Sequence, residues 1–201
     1  MTTPAPVTDG RSARSQRTRE AVVDALLALI RDGDPRPTAR QIAERANISL
    51  RSVYVHFDDL EDLFLAAAER QMAAVATMIK PVPEDLPLTD RIAAMCTLRA
   101  TIFEEVGPVR RAAELQAPFS PTLSGLLTRV RTASRDGISS LFAKELDRLP
   151  PEVRKLRLGA LDAAVSAETW ELLRGIHGMS CADASAAMIE SATVLLAGGA
   201  R

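Results

Sequence analysis

Residues 38–64 read TARQIAERANISLRSVYVHFDDLEDLF, and this stretch decides the fold. Thr38 opens a Thr-Ala-Arg-Gln capping box, which predicts a short helix beginning immediately after it. Asn47 tolerates the left-handed backbone that closes a tight turn, and Ser49 can cap a second short helix over about 50–56. Two short helices joined by a turn of about four residues form a helix-turn-helix.

The sequence on either side of this stretch predicts two longer helices. A helix over about 15–31 repeats apolar residues at the three-to-four spacing of a buried stripe, and Gly33 with two following prolines ends it. Asp58 and Asp59 can cap a fourth helix that runs to about Ile79.

Beyond the fourth helix, residues 80–87 contain three prolines and form the clearest predicted linker. Only helices are predicted after it, over about 89–105, 108–116, 121–148, 151–176 and 181–197. No segment alternates apolar and polar residues as a half-buried strand does. The predicted fold class is therefore all-α.

The composition supports a helical, globular protein. The 201 residues are 47% hydrophobic, 25% charged and only 3% aromatic, with a net charge of −1. Because the chain as a whole is not basic, any binding to nucleic acid has to rest on local positive charge. Arg11, Arg14, Arg17 and Arg19 make the first twenty residues a weakly basic arm, although a solvated tail explains them equally well.

Other classes of site find little support in the sequence. Cys96 and Cys181 fit neither a disulfide framework nor a zinc site, and we expect them to be buried free thiols. No cofactor or metal motif is present. The chain also lacks an uninterrupted apolar run of ~18 residues and an apolar signal core, so we expect a cytoplasmic protein without a membrane partner.

The second short helix is the predicted DNA-reading element, because its first turn is free to enter a major groove. Arg51 can pair with guanine, while Leu50 or Val55 can meet a thymine methyl group. Tyr54 and His56 can donate to phosphates, which fixes the register on DNA without reading its sequence.

These residues closely resemble those of the tetracycline-repressor (TetR) family. The resemblance rests on Thr-x-x-x-Ile-Ala-x-x-Ala at 38–46, on Ser49, on Tyr-x-His-Phe at 54–57, and on Leu63. It is strong over about residues 15–65. The family architecture implies a three-helix helix-turn-helix domain followed by a larger helical domain.

The resemblance implies a set of site residues and a domain organisation. Carried over by position, and with the helix cap Ser49, the DNA-binding residues are Thr38, Arg40, Ser49, Leu50, Arg51, Ser52, Tyr54, Val55 and His56. Two positions differ from the family pattern: Asn47 replaces the usual glycine, and Leu60 replaces a lysine that contacts phosphate. The implied organisation is a disordered arm over 1–13, a DNA-binding domain over 14–60, and an effector-binding and dimerisation domain over 61–201.

The family also implies a homodimer on a palindromic operator, since one short helix covers too few base pairs. The last two helices are the predicted interface, through two apolar stripes: Leu158, Leu161, Val165, Leu172 and Ile176, and Ala184, Met188, Ala192, Leu195 and Leu196. The alternative is that both stripes belong to the core of a single chain.

A small hydrophobic effector is expected in the middle helices, bound through Met72, Met95, Leu98, Ile102, Phe103, Phe119, Leu123, Leu127 and Trp170. Each of these residues alone is equally explained as core packing. The expected function is a non-enzymatic transcriptional repressor that the effector releases from DNA. Three alternatives stay open: a helical hairpin that merely packs, a helical enzyme, and an interaction protein that has lost DNA binding.

Overall fold

The computed structural model describes residues 10–197, and within them it contains helices and no strand, which confirms the all-α fold class. The α-helices are α1 (Gly10–Arg31), α2 (Ala39–Arg45), α3 (Leu50–His56), α4 (Leu60–Met78), α5 (Leu88–Gln116), α6 (Pro121–Leu141), α7 (Ala143–Leu146), α8 (Pro151–Ala164), α9 (Ala167–Glu171) and α10 (Cys181–Ala197). A 3₁₀ turn (Ala117–Phe119) precedes α6, and a π turn (Leu172–Ile176) follows α9. Over this range, no helix is both long and apolar enough to cross a membrane.

The predicted caps set the bounds of the short helices. Thr38 closes the full capping box of α2, and Ser49 accepts a hydrogen bond from the third residue of α3. Between them Asn47 has a φ of 52°, the left-handed conformation that the sharp turn requires. Asp59 caps α4 by accepting the Asp62 amide at 2.9 Å. Local sequence therefore fixes these helix starts, as predicted.

The chain divides into two compact units, and the first consists of 1–74 together with 108–124. Its core is built from the inward faces of α1 to α4, with Leu26, Ile42, Val53 and Leu63 at 1% exposure or less. Val109 and Ala112 of α5 belong to the same core. The helix-turn-helix is thus completed by residues distant in sequence.

The second unit consists of 75–107 and 125–201. Its core is formed by α5, α6, α7, α8, α9 and α10, with Ile92, Cys96, Phe142, Leu161 and Met188 fully buried. An ion pair links two of these helices: the guanidinium of Arg91, 4% exposed, lies 2.5 Å from a carboxylate oxygen of Glu145.

Two predicted helix boundaries in the first unit are wrong. Helix α1 begins at Gly10 rather than near Ser15, so the predicted arm is helical from Gly10; residues 1–9 of that arm lie outside the described part of the chain. Helix α5 continues through Pro108, where a new helix was predicted to start. Proline removes one backbone hydrogen bond, but burial of Val109 and Ala112 directly after it offsets the loss.

Two predicted long helices are broken in the second unit. The predicted helix 121–148 is interrupted at Phe142, whose ring is fully buried at the break. The predicted helix 151–176 ends its first part at Ala164, and Ser166 caps a new helix by accepting the Thr169 amide at 3.1 Å. Arg99 Nε donates to the Val165 carbonyl at 2.7 Å, which satisfies one of the free carbonyls at the end of α8.

Candidate nucleic-acid interface and effector residues

Helix α3 has one buried side and one exposed side. Val53 is 1% exposed and anchors the helix to the core of the first unit. Successive residues turn by about 100° around a helix axis, so Arg51 and Val55 lie opposite Val53. Val55 is 70% exposed, and Leu50 and Tyr54 on the adjoining flank are 41% and 51% exposed. A convex helix carrying these side chains has the shape and size that a major groove admits.

All nine sequence-predicted DNA-binding residues lie on the surface of the first unit, in α2, α3 and their caps. Thr38, Arg40, Ser49, Leu50, Arg51, Tyr54 and Val55 are exposed, and Ser52 and His56 are half-buried. Over residues 10–197, the guanidinium groups of Arg40 and Arg51 and the hydroxyl of Tyr54 make no hydrogen bond or ion pair. These three groups are therefore available to a ligand.

The hydroxyl groups of the caps are already engaged. Thr38 Oγ1 donates to Gln41 Oε1 at 2.6 Å, and the two hydroxyls of Ser49 and Ser52 lie 2.8 Å apart. To donate to a phosphate, Thr38 has to give up or share this bond to Gln41 Oε1. Its capping role does not need that proton, because in the cap Thr38 Oγ1 accepts the Gln41 amide.

A cation–π contact joins α1 to the end of α3, and the sequence analysis did not predict it. The guanidinium carbon of Arg19 lies 4.6 Å from the centroid of the Phe57 ring. Phe57 is the C-cap of α3 and is 3% exposed. Arg19 and Phe57 are far apart in sequence, and no spacing pattern around either residue indicates that they are in contact.

The loop between α1 and α2 is fixed by acidic side chains. Asp34 accepts hydrogen bonds from the Arg36 amide at 3.0 Å and from Gln41 Nε2 at 2.9 Å. Asp32 pairs with Arg45 at 2.7 Å. These bonds hold α2, and with it the turn into α3, against α1.

Residues 108–124 attach to the first unit by polar contacts as well as by their apolar side chains. An Arg36 NH2 group donates to the Leu115 carbonyl at 3.2 Å. Ser120, 3% exposed, donates from its hydroxyl to Glu61 Oε1 at 2.5 Å and accepts the Leu123 amide at 3.0 Å. Ser120 thereby links the first turn of α4 to the first turn of α6.

The sequence model of the bacterial regulatory proteins, tetR family, matches residues 22–67, which include α2, α3 and their capped turn. Over these residues the chain is similar to the TetR family. No curated protein sequence matches the chain.

Solved structures share the fold of this chain. A tetR-family transcriptional regulator from Streptomyces coelicolor superposes with a TM-score of 0.73 at 24% identity, covering 92% of this chain and 82% of that one. A transcriptional regulator from Rhodococcus sp. Rha1 gives a TM-score of 0.68 at 18% identity, covering 92% and 96%. A TetR transcription regulator from Haloarcula marismortui gives 0.60 at 16%, covering 91% and 98%.

The residues predicted to bind an effector are divided between the two units. Met72, Phe119 and Leu123 belong to the first unit, and Met95, Leu98, Ile102, Phe103, Leu127 and Trp170 belong to the second. Phe119 is 76% exposed, whereas Leu123 and Trp170 are buried. In the second unit the rings of Phe103 and Trp170 pack with centroids 6.2 Å apart. Their role as effector contacts stays a prediction.

A polar network surrounds Trp170 that the sequence analysis missed. Its indole N–H donates to Glu104 Oε1 at 2.9 Å, and Arg174 donates to both oxygens of the same carboxylate at 3.1 Å. The hydrogen bond from Arg174 lowers the pKa of Glu104, which is therefore ionised at neutral pH. This network fixes the indole plane against Phe103.

Most residues of the two predicted interface stripes are core residues of the chain itself. Leu161, Val165, Ala184, Met188 and Ala192 are fully buried within the second unit, as the alternative interpretation held. The exposed apolar side chains of these helices and the π turn are Val153, Leu156 and Val194, which lie outside the predicted stripes, and Leu172 and Ile176, which belong to the first predicted stripe.

The two cysteines differ from the prediction in one respect. Cys96 is buried as expected, and desolvation raises the pKa of its thiol to about 11. Cys181 is exposed at the start of α10, so the prediction that it is buried is wrong. In the part of the chain that the structure describes, no three His, Cys, Asp or Glu side chains are grouped to hold a metal ion.

Proposed function

We propose that this chain is a transcriptional repressor that binds a palindromic DNA operator as a homodimer and is released by a small hydrophobic effector. The observation that carries the proposal is the exposed outer face of α3, held opposite the buried Val53. A solvent-facing row of Leu50, Tyr54 and Val55 is unfavourable unless a partner covers it. Such a regulator acts on the chromosome and therefore in the cytoplasm.

The charged and polar groups of the site support DNA as that partner. Arg51 projects beside Val55 and can donate in bidentate fashion to guanine O6 and N7. Tyr54 and His56 lie where a helix seated in the groove meets the flanking phosphates. Arg40, exposed on α2, reaches the same strand or a base edge. Ser49 and Ser52 share one hydrogen bond, so the hydroxyl that accepts it keeps its own proton and can donate to DNA without breaking that bond.

The helical N-terminal part of α1 supplies further positive charge. Arg14 and Arg17 are exposed, and among residues 10–197 neither forms an ion pair. They lie near the positive end of the helix dipole, where cations are unfavourable and an anion is stabilising. Contacts of these arginines with phosphates compensate for Leu60, which stands where the family has lysine.

The homodimer is proposed to form through exposed apolar residues of α8, α10 and the π turn. Leu156 is 72% exposed, Ile176 78% and Val194 62%. Two such helices from each protomer form a four-helix bundle that buries them. The predicted pairing through the last helices is thereby kept, with Ile176 from the predicted stripes and with Leu156 and Val194, which the prediction did not include.

Release by an effector follows the family pattern as a two-state change. A ligand that binds the DNA-free state preferentially shifts the population away from the operator. The half-buried Phe103 and the buried Trp170 are packed aromatic rings in the second unit, and such rings commonly line sites for hydrophobic or amphipathic ligands. Helix α4 is the proposed link between effector and DNA. By linkage, an effector that weakens DNA binding ~100-fold itself binds the DNA complex ~100-fold more weakly.

The replacement of lysine by Leu60 favours a second candidate function, an interaction protein that has kept the fold and lost DNA binding. Both candidates are separated by selection of bound fragments from a genomic DNA library with the full-length protein. We expect a motif with two-fold symmetry, lost in Arg51→Ala and kept in Arg135→Ala, which removes an exposed arginine of α6. If no fragment is enriched over random DNA, the repressor proposal is overturned.

A further inference from the structure

The outer face of α3 is mostly apolar, which is unusual for a surface helix. Leu50, Tyr54 and Val55 together expose large hydrophobic side chains, while Arg51 is the single Lys or Arg from 49 to 57. Side chains that need neither hydrogen bonds nor charge therefore dominate the surface that is proposed to meet base edges.

The order of residues around α3 places its contacts. Arg51 and Val55 are one turn apart on the face directly opposite Val53, since four residues rotate by about 400°. Leu50 and Tyr54 are one turn apart on one flank, and the half-buried His56 lies on the other flank. Val55 is thus the most outward apolar group and stands next to Arg51 along the helix.

Base-edge chemistry identifies what an apolar group can read in the major groove. Thymine presents a methyl group there beside its O4 acceptor, whereas the other three bases present only hydrogen-bond donors or acceptors. An aliphatic side chain pressed against those polar groups leaves them without hydrogen-bond partners, which is costly. Val55 and Leu50 therefore favour thymine both by contact with its methyl group and by penalising the other bases.

Building on the proposed DNA-binding function, we propose that each half-site is read chiefly through thymine 5-methyl groups. Val55 makes the principal methyl contact, Leu50 makes a second one, and Arg51 makes the guanine contact. The two outward residues are separated by about 6 Å along the helix axis, which corresponds to about two base-pair steps. The guanine and the thymine read by Val55 are accordingly expected within about two base pairs of each other.

The test uses the operator obtained by DNA selection and replaces its thymines one at a time by deoxyuridine. This change removes only the 5-methyl group and leaves every hydrogen-bonding group of the base pair. We expect a loss of affinity of about fourfold for each methyl group that is in contact. Because the contact is not ionic, the salt dependence of binding should stay unchanged.

Variants of the protein assign each methyl group to a side chain. Val55→Ala should bind the thymine and uracil operators equally at one position, and Leu50→Ala should do so at another. Val130→Ala is the matched control, since Val130 is an exposed valine of α6 at 42% exposure. The Val130→Ala variant should lose as much affinity as the unmodified protein when the thymine at either position is replaced by deoxyuridine.

The outcomes separate this inference from the function on which it rests. If the protein binds the operator tightly and deoxyuridine does not weaken that binding, recognition of thymine methyl groups is overturned but the proposed DNA-binding function is not. Sensitivity that persists unchanged in Val55→Ala and Leu50→Ala shows that the methyl groups act through DNA shape, and it overturns the residue assignment. Failure to select any operator overturns the proposed function itself.

Discussion

Arg19 of α1 stacks over the ring of Phe57, with its guanidinium carbon 4.6 Å from the ring centroid. Phe57 ends α3 immediately after His56, a predicted phosphate contact. The stack therefore fixes the end of the proposed recognition helix relative to the first helix of the same unit. Its loss should loosen the site without removing any DNA-contacting group.

Substitution of Arg19 by alanine should lower the free energy of unfolding by about 0.5–1 kcal/mol, the value of an exposed cation–π contact. Urea denaturation measures the change. Arg17→Ala, two residues earlier and also exposed, is the control and should leave stability within about 0.5 kcal/mol. Equal losses in the two variants would assign the effect to helix α1 rather than to the stack.

Tyr54→Phe removes a hydroxyl group that is exposed and unengaged over residues 10–197. If the hydroxyl donates to a phosphate, all DNA sequences should be bound more weakly by the same factor, about three- to tenfold. Competition assays with operator and random duplexes measure this. A loss confined to the operator would contradict the phosphate role and make Tyr54 a base contact.

Leu60→Lys restores the family's usual residue at the start of α4. The added cation should strengthen DNA binding and steepen the salt dependence by about one phosphate. Leu60 is half-buried against the core of the first unit, so part of its packing is lost, and stability should fall by about 1 kcal/mol. Leu60→Gln is the neutral control for the lost packing. An unchanged salt slope in the lysine variant would argue against the positional comparison with the family.

The Arg91–Glu145 pair predicts a pH dependence of stability. Burial alone raises the pKa of Glu145, but the hydrogen bond and charge of Arg91 outweigh it, and the pKa lies below its usual value. The stabilisation is therefore complete above the ordinary glutamate pKa and is lost as the pH falls through the lowered one. Glu145→Gln should reduce the free energy of unfolding at neutral pH by about 3 kcal/mol, because it leaves Arg91 buried without its counter-charge.

The control for Glu145 is Asp147→Asn, which breaks an ion pair with Arg154 in which the aspartate side chain is 63% exposed. That change should cost at most about 1 kcal/mol. Stability measured from pH 3 to 8 should show a shallower acid decline for Glu145→Gln than for the unmodified chain. Parallel declines would place the acid-sensitive group elsewhere.

The sequence predicted the helix-turn-helix because its determinants are local. Thr38, Asn47, Ser49 and Asp59 each set a helix end through atoms within a few residues of themselves. Interactions between residues close in sequence are sufficient to set the helix ends at these positions.

The features that the sequence did not predict depend on contacts between distant residues, which hydrophobic periodicity does not reveal. Pro108 would end an isolated helix, yet α5 continues past it because Val109 is buried in the core of the first unit. The two stripes, one with Leu161 and the other with Met188, are equally apolar whether their partner is a second protomer or the same chain, and both of these residues pack within the same chain. The exposure of Cys181 and the Arg19–Phe57 stack are likewise settled by tertiary packing.

The discontinuity of the first unit constrains its synthesis. Val109 and Ala112 occupy the same core as α1 to α4, although thirty or so residues of the other unit are translated before them. The nascent chain consequently leaves the ribosome with the first unit lacking two buried side chains, and native packing there waits until this part of α5 has emerged. Translation order thus delays completion of the core of the first unit until residues 75–107 of the second unit have been translated.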